Sequence, residues 1–184
     1  MTEPAVLRAG AQKSPPGFVV CSLNHVAYRC RDAAETTRFY EDLLGLKLAH
    51  VVRADRVPST GENRAFAHIF FEMADGSFIA FFDLGDGKPG LADETTPAFV
   101  NHLSLEVPSS EDLLAAKARL EAAGVEVNGV VDHDWLHSIY FLDPNGLHLE
   151  LSWRVKGEET MAEFAAAAHQ ELASWTAMKA GQPA

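Results

Sequence analysis

The sequence predicts an α+β protein built from two successive β-α-β-β-β modules and a C-terminal helix. Three observations predict it. The dipeptide Asn-His occurs at Asn24-His25 and again at Asn101-His102, each beside an apolar segment. Each pair is followed by a helix with a capping signal at its start and a glycine at its end. Each half then closes with a turn carrying Gly76 or Gly146 ahead of a last apolar strand. Self-similarity of this kind means two units that complete one core together.

In the first half, Leu23-Asn24-His25-Val26-Ala27 reads as a strand from its apolar flanks and its place before a helix signal. Asp32 caps a helix in which Phe39, Leu43 and Leu44 recur at helical spacing, ending at Gly45. Strands follow at about 47–53, 65–72 and 77–83, with Asp75-Gly76 as the turn between the last two. The second half repeats the order. Val100 to Ser104 is a strand, and Ser109 with Asp112 makes a capping-box-like helix start. Leu113, Leu114, Ala116 and Leu120 run to Gly124, and strands at about 125–131, 138–142 and 147–153 follow. Asp143-Pro144-Asn145-Gly146 is the turn. The interval from His to turn Gly is 51 residues (25 to 76) in one half and 44 (102 to 146) in the other. The surplus belongs to a surface loop around Arg53 to Arg64.

The expected organisation is a mobile tail over 1–17, one domain over 18–156 with modules at about 20–86 and 98–154, and a helix and tail over 157–184. That helix carries Met161, Phe164, Ala168, Leu172 and Trp175 along one stripe, for packing within the chain or against a partner subunit.

Composition narrows the function. Apolar residues make up 47% of the 184 and charged residues 22%, the profile of a soluble globular protein. A formal charge of −11 argues against nucleic acid, which needs clustered Lys and Arg. No apolar run approaches the ~18 residues of a membrane span, and the start has no apolar signal core. Cys21 and Cys30 make no disulfide framework and suit a reducing cytoplasm. The expected location is cytoplasmic, and the expected partners are a small-molecule substrate and a second copy of the chain.

The paired modules, Phe39-Tyr40 followed by Asp42-Leu43-Leu44-Gly45, and the run Ser138-Ile139-Tyr140-Phe141-Leu142-Asp143-Pro144-Asn145-Gly146 resemble the vicinal oxygen chelate superfamily. That superfamily includes glyoxalase I, methylmalonyl-CoA epimerase, fosfomycin-resistance transferases, bleomycin resistance proteins and type I extradiol dioxygenases. The resemblance covers roughly residues 20–154. It implies a half-open barrel around a divalent metal, with ligands on the first and last strands of each module. Residue by residue, it assigns His25, His102 and Glu150 as ligands. Matching Gly76 to Gly146 puts Ala80 at the fourth position, where a methyl group cannot bind metal. The residue chemistry agrees with a site of this kind. Two imidazoles and one carboxylate suit non-haem Fe(II) with open positions, the first expectation, and also accept Mn(II) or Zn(II). Strand parity puts His148, Glu150 and Ser152 on one face.

Among the family's chemistries, the vacant position at Ala80 speaks against glyoxalase- and epimerase-type members, which usually fill all four. The stretch Val127 to Ser138 has no Lys or Arg to receive a phosphonate. The resemblance to extradiol dioxygenases implies Tyr140, ten residues before Glu150, as a catalytic tyrosine, and His133 as a histidine supporting it. Their catalytic His is matched by Ser77. The repeat sets His68 opposite Ser138 and Phe70 opposite Tyr140, so His68 is expected on the cavity face as substitute base, ahead of His148. The leading expectation is an Fe(II)-dependent extradiol-type dioxygenase of a catecholic substrate. The alternatives are a non-redox lyase, isomerase or epimerase, and an antibiotic-binding resistance protein.

Overall fold

A computed structural model describes residues 20–88, 90, 96–97 and 99–180. The expected tail over 1–17 lies outside them. The element order is β1 (His25–Cys30), α1 (Ala33–Arg38), β2 (Lys47–Arg56), β3 (Asn63–Glu72) and β4 (Phe78–Asp83). Then come β5 (Leu103–Glu106), α2 (Ser110–Ala122), β6 (Asn128–Asp132), β7 (Leu136–Leu142), β8 (His148–Arg154) and α3 (Glu158–Ala180). The chain is therefore two β-α-β-β-β modules and a C-terminal helix, in two four-stranded sheets ordered β1-β4-β3-β2 and β5-β8-β7-β6. In each the outer strand pairs parallel with the last and the others run antiparallel.

The helix starts follow their caps. The Asp32 carboxylate accepts from the Glu35 N–H, and Ser109 Oγ accepts from the Asp112 N–H. The single helix expected over 32–45 divides: α1 gives way to a π-helical turn at Phe39–Leu43. That wider turn lets the adjacent Phe39 and Tyr40 both be buried, which 3.6-residue periodicity does not allow for. Tyr40 stacks on Phe71 at 5.0 Å and packs on Phe81.

Both first strands begin later than their apolar residues suggest. Leu23 and Val100 are about half exposed, and the strands open only where β4 and β8 provide partners. His25 thus heads β1, and His102 immediately precedes β5. Likewise β6 starts at Asn128 rather than near Val125, with a register shift at Gly129. A Cβ there would meet the Ser138 carbonyl at 2.7 Å, so the bulge requires glycine.

The strand registers confirm the internal repeat residue by residue. Phe70 faces Ala80 across β3/β4, and Tyr140 faces Glu150 across β7/β8. Ala27 is level with Ala80, and Ser104 with Glu150. Gly76 and Gly146 both adopt φ +82 in the matching turns, a conformation that only glycine takes cheaply.

One face of each sheet is the shared core: Cys30, Ile69, Phe71, Ile79 and Phe81 from module one, and Ile139, Phe141, Leu149 and Leu151 from module two, under Leu113 and Leu120 of α2. The modules join through this layer. Tyr40 donates to Asp143 at 3.2 Å. Asn145 accepts from the Arg31 N–H and donates to Thr36 Oγ1. Burial raises the pKa of Asp143, while its donors from the Asn145 side chain, the Leu147 and Asn145 amides and the Tyr40 hydroxyl hold it down in part. The opposite faces of both sheets carry the polar and histidine-rich residues.

Of the two roles expected for its apolar stripe, packing within the chain or against a partner subunit, α3 shows little of the first. Every residue from 162 to 179 is exposed, and a Trp135–Phe164 ring contact at 6.2 Å ties its first turns to module two. No helix of the described residues is long and apolar enough to cross a membrane.

Candidate metal centre

Alternation along β7 and β8 delivers Ser138, Tyr140, His148, Glu150 and Ser152 to the face away from the core. Glu150 is its centre. The side chain is only 6% exposed, yet both carboxylate oxygens have partners. Oε2 lies 3.1 Å from His102 Nε2, and Oε1 accepts from the Tyr140 hydroxyl at 3.0 Å. The same hydroxyl is 2.8 Å from His133 Nε2. Sequence reasoning singled out all four, and they form one connected chain: His102, Glu150, Tyr140, His133.

The electrostatics keep this chain polarised. Burial pushes Glu150 up, but the Ser138, Ser104 and Tyr140 hydroxyls and the His102 ring outweigh it, and the carboxyl sits below its usual value. Ser138 Oγ has no hydrogen bond of regular geometry and contributes by its dipole. Tyr140 moves the other way, raised by burial and by donating to Glu150, so the phenol keeps its proton. His148 lies beside them, its ring 5.7 Å from Tyr140 and 6.1 Å from His102. An open cleft of about 1510 Å³ runs past His102, His133, Tyr140 and His148, with Asn101 and Phe99 on its wall.

His25 lies elsewhere. It belongs to the equivalent face of the first sheet, 5.6 Å from Phe70 and 6.1 Å from His68, ring centre to ring centre. Phe70 occupies Tyr140's place in the repeat, so the two faces match in plan and differ in chemistry. Among the described residues no three of His, Cys, Asp and Glu stand close enough to hold one metal. A single chain thus brings His102 and Glu150 together and holds His25 apart.

Ala80 shares His25's face and is fully buried. Ser77 is bound into its turn, its hydroxyl donating to Asp75 at 2.6 Å, and is no base. His68 does face the same side as His25 and Phe70. It is 9% exposed and stacked on Phe82 at 3.6 Å, and its Nε2 has no hydrogen-bond partner. His50 was not singled out by the sequence. It joins this group only because β2 pairs His50 with Phe70 across the strands, 5.7 Å ring to ring. A register between strands leaves no mark in local pattern.

His68 makes the fold acid-sensitive. Burial, then the neighbouring His25 and His50, lower its pKa from 6.5 to about 4. The unfolded chain therefore takes up a proton between those values that the folded one refuses, so stability falls as pH drops through that window and is unaffected above it. In His68→Phe the melting temperature should lose its His68-dependent slope between pH 6.5 and 4, a difference of a few degrees. Parallel pH profiles for the two proteins would show the imidazole to be solvated.

Paired β-α-β-β-β modules, each ending in a sheet with one open face, define the class of protein to which this chain belongs. The chain belongs to the Glyoxalase/Bleomycin resistance protein/Dioxygenase superfamily, whose model matches residues 22–151. It is 28% identical over 174 residues to biphenyl-2,3-diol 1,2-dioxygenase 3 of Rhodococcus globerulus, covering 88% of this chain and 84% of that one. It is 28% identical over 109 residues to an ethylmalonyl-CoA/methylmalonyl-CoA epimerase of Cereibacter sphaeroides, covering 58% and 74% respectively. Its fold matches a mutant of a fosfomycin resistance protein of Listeria monocytogenes solved with Mn(II) and 1S,2S-dihydroxypropylphosphonic acid, at TM-score 0.54 and 20% identity, covering 78% of this chain and 99% of the other.

Proposed function

We propose that this chain is a metal-dependent enzyme of small molecules, of the extradiol dioxygenase type, using Fe(II) to open a catecholic ring. The observation that carries the reading is the Tyr140 hydroxyl set between Glu150 and His133 beside the cleft. The similarity to the Rhodococcus enzyme over most of both chains supports it.

The residues present suit a divalent ion. Glu150 is a buried carboxylate held ionised, with an imidazole against one oxygen, a donor pair that oxygen- and nitrogen-seeking metals accept. His102 and Glu150 would supply two ligands and His25 the third. Bound there, a divalent ion offers Lewis acidity and open positions and, as iron, the redox capacity that dioxygen chemistry needs. The protein's own part is positional. Tyr140 retains its proton and directs it along the Glu150 side of the cleft, and His133 fixes the phenol's orientation. His68, neutral above about pH 4, would present a proton-accepting nitrogen from the module-one face.

His25 and His68 share one face, while His102, Glu150, Tyr140 and His133 share another. The reading therefore includes a homodimer in which module one of one copy faces module two of the other, so that His25 completes the ligand set. Mixing His25→Ala with Glu150→Ala chains tests this directly. Random exchange should restore about a quarter of wild-type metal, because each mixed pair has one intact site. No recovery on mixing would place all three ligands within one chain.

The activity is tested by metal analysis together with oxygen uptake on 2,3-dihydroxybiphenyl and a panel of catechols. Iron-loaded protein should consume oxygen and form a coloured ring-opened product. Tight metal binding without oxygen uptake on any catechol would move the reading to a lyase or epimerase, and no metal binding would move it to a binding protein.

A further inference from the structure

α3 presents an apolar stripe that, apart from a Trp135–Phe164 ring contact, nothing among the described residues covers. Phe164, Leu172, Trp175 and Met178 are 42%, 61%, 52% and 48% exposed. Exposed apolar residues are common singly, but four along one side of a 23-residue helix are not. The helix has enough alanine to form unaided, so its stripe is not needed to hold it in shape. The stripe is there to meet something.

Its spacing says what. Met161, Phe164, Ala168, Leu172 and Trp175 are separated by 3, 4, 4 and 3 residues. At about 100° per residue they fall within ~40° of one line, and the order is symmetric about Ala168. We infer that α3 is a self-association surface: it pairs antiparallel with α3 of a second copy about a two-fold axis at Ala168. In that arrangement Met161 meets Trp175 of the other copy and Phe164 meets its Leu172. The two Ala168 methyl groups face each other and let the helices approach closely.

Charge agrees with the antiparallel sense. Glu158 and Glu159 begin the helix and Lys179 ends it, on the stripe side, where its Nζ lies 5.8 Å over the Trp175 ring. Antiparallel pairing sets Lys179 of each copy near Glu158 of the other, whereas parallel pairing would set like charges together. Burying the exposed parts of the four large side chains removes on the order of 400 Å² per copy from water. With the alanines between them, the pair approaches the ~1,000 Å² expected of a specific interface. Trp135, against Phe164, adds to the rim. The pairing stands apart from the metal reading, since it would join copies whether or not their modules exchange.

The test is position-specific cross-linking in full-length protein carrying Cys21→Ser. Ala168→Cys places a thiol at the axis, and Ala166→Cys places one on the opposite side of the helix. Under mild oxidation at micromolar concentration, the first should become mostly disulfide-linked dimer and the second should not. Leu172→Glu added to Ala168→Cys should cut the cross-linking rate at least tenfold. In the unmodified chain, tryptophan emission, to which the exposed Trp175 contributes beside Trp135 and Trp153, should shift to shorter wavelength as concentration rises. Equal cross-linking at 166 and 168, no cross-linking at 168, or emission independent of concentration from nanomolar to high micromolar would each overturn the pairing. A dimer that forms through the modules alone would give no cross-link at 168, so the two interfaces are told apart.

Discussion

Glu150→Gln is expected to lower metal affinity at least about a hundredfold while leaving the fold intact, the largest effect of any single conservative change in this chain. Glutamine keeps the shape and can still accept from Tyr140, so the substitution removes charge and little else. In the present site that charge is held against burial by three hydroxyls and the His102 ring. Its lowered pKa means that the ionised form favours the folded state, so without metal the variant should melt slightly below the wild-type temperature at neutral pH. Isothermal titration with Fe(II), Mn(II) and Zn(II), beside thermal melts of the metal-free proteins, measures both effects. Equal affinity in the two proteins would remove Glu150 from the ligand set. A collapse in stability would make its role structural.

Tyr140→Phe should separate catalysis from metal binding. Metal content should hold, KM should change less than about threefold, and kcat should fall about 100-fold or more, the scale of a lost proton-transfer group. The phenol donates to Glu150 Oε1 and is bonded by His133 Nε2, so its loss leaves the buried carboxylate oxygen without that donor, costing about 1–2 kcal/mol, and releases the exposed His133 ring. His133→Gln, which can still bond the phenol, should retain more activity than His133→Ala. If Tyr140→Phe turns over catechols at the wild-type rate, the phenol is a packing residue and the extradiol reading loses its principal support.

Much of the architecture was legible in the residues themselves. Asp32 and Ser109 cap their helices because a short oxygen-bearing side chain satisfies a free N–H locally. Gly76 and Gly146 mark matching turns because both require φ +82. Period-two alternation put His148, Glu150 and Ser152 on one face of β8 with no need of tertiary information. Matching the turn glycines correctly set Phe70 against Tyr140 and Ala80 against Glu150, as the strand registers show. The repeat is thus a property of local sequence, and the fold class and superfamily follow from it.

What local sequence could not decide was anything set by one element against another. His50 enters the His25–His68 group only through the β2–β3 register. The π-helical turn at Phe39–Leu43 arises because Phe39 and Tyr40 both have core to fill, on Phe141 at one side and Phe71 at the other. The first strands begin where β4 and β8 give them partners, later than their apolar residues do. Above all, three residues that the family resemblance assigns to one site fall with two sheets, His25 with one and His102 and Glu150 with the other. Strand parity determines which way each side chain points, because it depends only on neighbouring residues. Which sheet faces which depends on how the helices and the Asp143–Gly146 turn pack between the modules, and that is a property of the folded molecule.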